Sequence, residues 1–366
     1  MSAWSFTNPV KLHFGEGEIA RISELLRGRS YALVTHPDAA LMPQRDRLIA
    51  IAGAPCIILD AIVPNPSLSM LRGLSAQLMS ASRPDVLVAL GGGSVIDSAK
   101  FLAAGGGNFD TVFQYLETGE RLPGIALPLI AIPTTAGTGS DLTKWATIWD
   151  TERQRKLSLN SNDLYAEAVV VDPELTYDLP WSVTLASGLD ALSHALESIW
   201  NVNASPLTRT FAVAAAQDLM EGLRRLRHDL TDHEARSQMA LGATRAGYAF
   251  SNTQTALAHN LSYPITLAHN VPHGIACSFC LPEVMAGAIG ADAACDEALA
   301  LIFGDLATAP AMLRHFLNML GIAARPGDLG IASAEWETIV TDAFDGPRGR
   351  NFIGARERFP QQAVAA

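Results

Sequence analysis

Asp190 and His194 stand four residues apart in the run Ser-Gly-Leu-Asp-Ala-Leu-Ser-His-Ala-Leu-Glu-Ser-Ile-Trp, residues 187–200. Leu189, Leu192, Leu196 and Ile199 recur around them at helical spacing. Positions i and i+4 of a helix share a face, so the carboxylate and the imidazole address one point. One carboxylate oxygen and one imidazole nitrogen on a rigid element make half of a divalent-metal site. The same spacing also occurs on ordinary helices whose Asp and His face water, so the pair needs partners. His259, in Ala-His-Asn-Leu-Ser-Tyr-Pro, and His273, in Val-Pro-His-Gly, supply them. Three nitrogens and one oxygen suit Fe2+ or Zn2+. His269, four residues before His273, is an alternative donor, whereas His13, His36, His228, His233 and His315 lie in charged or loop-like surroundings and read as solvated.

The elements that must position these groups differ between the two halves of the chain. From about residue 180 to 320 the sequence reads as successive amphipathic or buried helices, with no strand pattern. From about residue 30 to 175, short apolar runs at 30–35, 56–63, 85–90, 127–132 and 168–171 alternate with helical segments such as 67–80 and 94–104. That alternation predicts a parallel sheet covered on both faces. The boundary is placed near Tyr177, giving an α/β dinucleotide-binding domain over 1–176 and an all-α metal-binding domain over 177–366. Ligands of such sheets bind at the carboxyl ends of the strands. There the run 85–90 ends in Gly91-Gly92-Gly93-Ser94, and a helix opens with Asp97 and Lys100. Glycines at a strand-to-helix turn let backbone N–H groups approach a phosphate, and the helix start favours its charge. The next strand runs into Pro133-Thr134-Thr135-Ala136-Gly137-Thr138-Gly139-Ser140, crowded with small hydroxyl-bearing residues that suit a cofactor's phosphates and ribose.

Composition sets outer bounds. A chain of 366 residues, 49% hydrophobic and 17% charged, has the makings of two well-packed domains. Its net charge of −11 argues against a general nucleic-acid binder, since little would neutralise phosphates. No basic start followed by an apolar run marks a signal peptide, and no apolar stretch reaches membrane-spanning length. Cys56, Cys277, Cys280 and Cys295 form no disulfide framework in so long a chain, and Cys277 and Cys280 read as buried structural thiols. A cytoplasmic protein is expected.

Taken together, these motifs resemble the iron-containing (group III) alcohol dehydrogenases, which share their architecture with dehydroquinate synthase and glycerol dehydrogenase. The resemblance runs over nearly the whole chain: Phe14-Gly15, Pro64-Asn65-Pro66, Gly91 to Ser94 with Asp97 and Lys100, and residues 133–140. It continues through Asp172-Pro173, Gly188 to His194 with Glu197, His259, and Pro272-His273-Gly274. It implies metal ligation by Asp190, His194, His259 and His273, which demotes His269 from the ligand set. It implies a cofactor on Gly91, Gly92, Gly93 and Ser94, with Asp97, Thr134, Thr135 and Ser140 lining its site and Lys156 nearby as a catalytic candidate. The cofactors implied are a divalent metal, Fe2+ first and Zn2+ second, and NAD(H) or NADP(H).

Three positions depart from the family pattern. Tyr263 stands where a histidine usually follows the third ligand by four residues, which leaves Tyr263 and His269 as candidates for proton transfer. His36-Pro37 follows the first buried strand where an acidic residue is common, so NAD against NADP stays open. Asp141 replaces a glutamate. The runs 143–150, 156–159 and 262–264 look like the phosphonoacetaldehyde reductase branch, in which Lys144 and Lys156, with Arg348 or Arg350, would neutralise the phosphonate. The expected reaction is therefore reduction of a small, possibly anionic, aldehyde to a primary alcohol by a homo-oligomer, a dimer first. A broad short-chain alcohol dehydrogenase and a maleylacetate reductase are the rival readings, and a dehydroquinate synthase-like lyase is a remote one.

Overall fold

Buried aliphatic runs become the strands of a six-stranded parallel sheet in a computed structural model that describes residues 3–359, except 123, 125, 154, 323 and 324. The strands are β1 (Lys11–Phe14), β2 (Tyr31–Thr35), β3 (Ile57–Leu59), β4 (Val86–Gly91), β5 (Leu129–Pro133) and β8 (Ala168–Val171), in spatial order β1-β8-β5-β4-β2-β3. Strands β2, β4 and β5 are buried at every position, as parallel strands covered on both faces must be. Leu33, Val88, Leu90, Ile130 and Ile132 from them meet Ile19, Ile22 and Leu48 in one apolar core.

The chain divides into two compact units, one of residues Pro9–Asp178 and one of Met1–Asn8 with Leu179–Ala366. The first contains the sheet, together with an antiparallel hairpin of β6 (Trp145–Asp150) and β7 (Arg155–Asn160). Neither β1 nor this hairpin stands among the sequence-predicted strands: β1 is four residues on a sheet edge, and the hairpin mixes Lys and Arg into its apolar positions. The 56–63 run forms only three residues of strand, at the opposite edge, beside β2. Helix Leu68–Ser80 begins at Ser67, whose Oγ accepts the Met70 N–H at 3.2 Å. Helix Gly93–Gly105 follows β4 directly, with Gly92 as its cap residue.

Among its described residues the second unit forms no named strand. Helices Trp181–Ile199, Pro206–Leu226 and His233–Thr253 pack on one another, and Leu257–His269 and His273–Ser278 lie against the first of them. Helix Pro206–Leu226 has proline at its first position and a reciprocal Ser205–Thr208 cap, both ordinary helix-start chemistry. Residues 3–8 join this unit, not the sheet. Thr7 N–H donates to Asn252 Oδ1 at 2.9 Å, and the Phe6 and Phe211 rings meet at 5.9 Å. Among the described residues no helix is long and apolar enough to cross a membrane.

Candidate active site

Helix Trp181–Ile199 is buried on all sides from Gly188 to Ile199, so its polar groups have no water to satisfy them. Helix His273–Ser278 crosses it at van der Waals distance. A Cβ on Gly274 would stand 1.9 Å from the Ala186 carbonyl oxygen, so only glycine admits this approach. Ser278 Oγ lies 3.0 Å from Leu189 O and 2.9 Å from Ser193 Oγ, pinning the other end of the crossing. The crossing brings His273 to Asp190, and helix Leu257–His269 brings His259.

Asp190 Oδ1 lies 3.4 Å from His259 Nε2, 3.8 Å from His194 Nε2 and 3.9 Å from His273 Nε2. Asp190 Oδ1 and His259 Nε2 are both buried without a hydrogen-bond partner. Two orphaned donor atoms facing each other are costly unless a cation sits between them. Ligand atoms of Asp190, His259, His273 and Cys277 all lie within 4.8 Å of one another. His194 stands beside that group, its ring stacked on Phe250 at 4.0 Å and on His259 at 4.6 Å. The His273 side chain is 30% exposed where those of Asp190 and His259 are buried, which leaves the site one open side.

Electrostatics point the same way. Burial alone would raise Asp190, yet the surrounding imidazoles of His194, His259 and His273 hold its carboxylate well below the usual range. Burial would likewise lower His259, but Cys277, Glu197 and Asp190 hold it well above its ordinary value. Burial takes His194 down to about 3, so it is a neutral imidazole, the form that binds metal. The Cys277 thiol would be raised by burial, but His259 and His273 bring it down to about 7. The pocket thus accumulates negative and donor groups around one point, and its residues fit a divalent cation there.

Glu197 completes the arrangement from behind. Its carboxylate accepts the N–H groups of Ala256 (2.9 Å), Ala258 (2.6 Å) and His259 (3.2 Å), and meets His259 Nδ1 at 2.6 Å. It is fully buried, and despite that burial its contacts with His259 and the backbone keep its carboxyl below the ordinary range. Here it caps the start of helix Leu257–His269 and turns His259 Nε2 toward Asp190.

In the other unit, the strand-to-helix turn after β4 lies against the loop after β5. A Cβ on Gly93 would come 2.5 Å from Thr138 Oγ1, and one on Gly92 would come 3.2 Å from Thr135 Oγ1. Thr134 N–H donates to Gly91 O at 3.2 Å, and Ser94 Oγ accepts the Asn65 N–H at 3.2 Å. Gly91 to Ser94, Thr134 and Thr135 are therefore together, and a phosphate could sit on the exposed N–H groups of such a turn. Asp97 and Ser140 face inward: Asp97 accepts Ser140 Oγ at 2.5 Å and the Thr147 N–H at 2.9 Å. Lys100 is wholly buried and donates to the carbonyls of Ser140 (2.5 Å), Thr143 (2.7 Å) and Trp145 (2.7 Å). Its ammonium nails the 140–145 segment to the helix.

The remaining sequence-predicted residues scatter. Tyr263 is half-buried, its ring parallel to that of His273 at 6.0 Å. His269 Nε2 pairs with Glu335 Oε1 at 2.7 Å and, among the described residues, belongs to no metal-ligand group. Lys144 Nζ donates to Asn162 Oδ1 at 2.9 Å, while Lys156 pairs across the hairpin with Trp149, and its charge offsets a small part of the burial that raises the Asp97 carboxyl. Five residues of strand, about 17 Å at roughly 3.4 Å each, separate the two lysine backbones, so the hairpin does not bring them together. Arg348 donates to Gln254 Oε1 at 2.7 Å, and Arg350 is exposed.

Two residues carry more than the sequence reading gave them. Glu197 shares the stripe of Asp190 and His194 at i+7 and i+3, and a carboxylate on an otherwise apolar stripe is a readable signal. Cys277 follows His273 by four residues, the same helical spacing as Asp190 and His194. It is buried as expected, but its sulfur faces the metal-ligand group. Cys280, the other buried thiol of this helix end, is not part of that group.

Both halves of the chain match known families: the iron-containing alcohol dehydrogenase profile over residues 9–173, and the Fe-containing alcohol dehydrogenase C-terminal profile over residues 184–358. Phosphonoacetaldehyde reductase of Streptomyces viridochromogenes is 33% identical over 293 residues, 76% of this chain and 73% of that protein. Alcohol dehydrogenase 4 of Saccharomyces cerevisiae is 28% identical over 366 residues, 94% of this chain and 92% of that one. Among solved structures, sulfoacetaldehyde reductase from Bifidobacterium kashiwanohense in complex with NAD+ superposes with a TM-score of 0.90 at 27% identity, covering 96% of this chain and 95% of that one. With both units matched, the chain belongs to the iron-containing alcohol dehydrogenase family and is an oxidoreductase of that family.

Proposed function

We propose that this protein catalyses metal-dependent, NAD(P)H-linked reduction of a small aldehyde to a primary alcohol, with phosphonoacetaldehyde and 2-hydroxyethylphosphonate as its substrate pair. The observation that carries the reaction class is the meeting of Asp190 Oδ1 and His259 Nε2, buried, unpartnered and 3.4 Å apart, beside the half-open His273. Asp190, His194, His259 and His273 would hold Fe2+ or Zn2+, which when bound supplies a Lewis acid for the carbonyl oxygen. Glu197 keeps His259 in the tautomer whose Nε2 faces the site. Gly91 to Ser94, Thr134 and Thr135 would bind the pyrophosphate and ribose of the nicotinamide cofactor, the source of hydride. Asp97, Ser140 and Lys100 hold that loop in shape. Tyr263, stacked on His273, is the residue we assign to delivering the proton to the product oxygen.

The substrate assignment draws support from relatives whose names carry an aldehyde with a phosphonate or sulfonate. Since Lys144 and Lys156 stand far apart along the hairpin, one of them at most meets the anion. The test is NAD(P)H consumption by metal-reconstituted protein with phosphonoacetaldehyde, propanal and maleylacetate side by side, each with both nicotinamides. A preference for phosphonoacetaldehyde supports the pair. Activity on propanal alone discards the phosphonate and keeps the dehydrogenase. Full turnover in metal-stripped protein, or in His259→Ala, would sink the mechanism.

A further inference from the structure

Gln254 holds a backbone conformation that residues with a side chain rarely take. It ends helix His233–Thr253 at φ 63° and ψ 175°, a region of the backbone map essentially reserved for glycine. A residue persists there only where its surroundings hold it in place. Three asparagine amides grip the backbone around it. Asn203 Nδ2 donates to Thr253 O at 3.2 Å, Asn201 Nδ2 to Gln254 O at 3.1 Å and Asn351 Nδ2 to Thr255 O at 2.8 Å. The Gln254 side chain is gripped as well: Arg348 Nη1 donates to its Oε1 at 2.7 Å.

This strained residue stands five positions before His259. The direction in which the chain leaves Gln254 decides where Ala256, Ala258 and His259 present their N–H groups. All three reach the buried Glu197 carboxylate, at 2.9, 2.6 and 3.2 Å, and the same carboxylate meets His259 Nδ1. The segment that carries Arg348 is itself tightly seated. A Cβ on Gly346 would stand 2.2 Å from Asn260 Nδ2, and one on Gly349 would stand 2.1 Å from Ala343 O. Asn260 Nδ2 in turn donates to Ala343 O at 2.7 Å. The end of helix Ser333–Asp345 is thereby locked to the first turn of helix Leu257–His269, and Arg348 reaches Gln254 from a fixed base.

From this geometry we infer that Arg348 is a positioning residue of the metal site: it pins Gln254 in its strained conformation and so sets the backbone that presents His259 to Asp190. The inference rests on the metal-dependent reading above and deepens it. It also gives the Arg348 guanidinium a task apart from the substrate's anionic group. The asparagines hold carbonyls that a glycine at 254 would present equally well. Arg348 grips the side chain whose presence makes the conformation costly, so its importance is tied to residue 254 not being glycine.

The test is a binding cycle independent of turnover. Zn2+ is titrated calorimetrically into metal-free wild type, Arg348→Met, Gln254→Gly and the double variant, with urea unfolding on each to confirm the fold. Arg348→Met is expected to bind about tenfold more weakly, the low end of the loss on removing a group that orients a ligand. Gln254→Gly and the double variant are expected to bind like wild type, because glycine takes this conformation without a pin. Arg348→Lys, which can still donate to the amide oxygen, should recover most of the affinity. Wild-type affinity in Arg348→Met, or a loss in the double variant as large as in Arg348→Met, overturns the inference and leaves the metal-dependent reaction standing. So does a raised KM for phosphonoacetaldehyde in Arg348→Met at unchanged metal affinity, which assigns the guanidinium to the substrate. Failure of wild type to bind Zn2+ overturns both readings.

Discussion

His259 Nδ1 lies 2.6 Å from Glu197 Oε2, and the same carboxylate receives three backbone N–H groups at the start of the helix that carries His259. One buried side chain therefore caps a helix, orients an imidazole and supplies charge behind a metal site. Replacing Glu197 with Gln keeps the volume but turns one acceptor into a donor that faces N–H groups. Metal affinity should fall by about 10–100-fold, the usual cost of losing such a partner. Calorimetric titration of Zn2+ into metal-free protein checks this, and unchanged affinity would show that the imidazole is oriented by other contacts.

Gly274→Ala tests the helix crossing. The added Cβ would meet the Ala186 carbonyl, a backbone atom that cannot swing aside, so helix His273–Ser278 must move. We expect destabilisation of roughly 1–3 kcal/mol, as for overpacking a tight core, and weakened metal binding together. Urea unfolding and metal content measured on the same preparation would separate this from a local effect: full stability with full metal content refutes it.

Lys100→Met should act on the other unit. Removing the ammonium strands the carbonyls of Ser140, Thr143 and Trp145 in an apolar setting, a loss of roughly 3 kcal/mol. Because these carbonyls anchor the loop beside the glycine turn, NAD(P)H affinity should weaken while metal content holds. Fluorescence titration of the nicotinamide and elemental analysis give the two readouts.

Asp141 makes stability depend on pH. Burial raises its carboxyl from 3.8 to about 6, so between those values the folded chain holds a proton that the unfolded chain has released. Its contribution is fully present below the unfolded value and is lost as pH rises through about 6. The shift corresponds to a change on the order of 3 kcal/mol. Asp141→Asn removes it, so the stability difference between variant and wild type should move in the variant's favour from pH 4 to pH 7. Denaturant melts at several pH values measure that difference, and a flat difference contradicts the assignment.

The legible parts of this protein were those with a strong local period or a dense motif. Strands β2, β4, β5 and β8 are apolar on both faces and could be read directly. Strand β1, with four residues of mixed polarity, and the β6–β7 hairpin could not, because their pairing partners rather than their own patterns make them strands. The first residues gave no hint that they join the helical unit, since that rests on hydrogen bonds to Asn252, 245 positions away.

The candidate site divides the same way. The amino-acid order by itself determined that Asp190 and His194 share a helix face, that two glycine-rich turns follow buried strands, and that His259 and His273 are available as donors. Helical geometry dictates the first, and residue chemistry the rest. Tertiary structure alone decided which groups meet. A glycine crossing sets Cys277 beside His273 and Asp190, while His269 is drawn away to Glu335. Asp97, singled out for the cofactor, spends both oxygens on the Ser140 hydroxyl and the Thr147 amide. Such choices depend on distances across tens or hundreds of residues, and only packing, with its demand that each buried donor and acceptor find a partner, sets those distances.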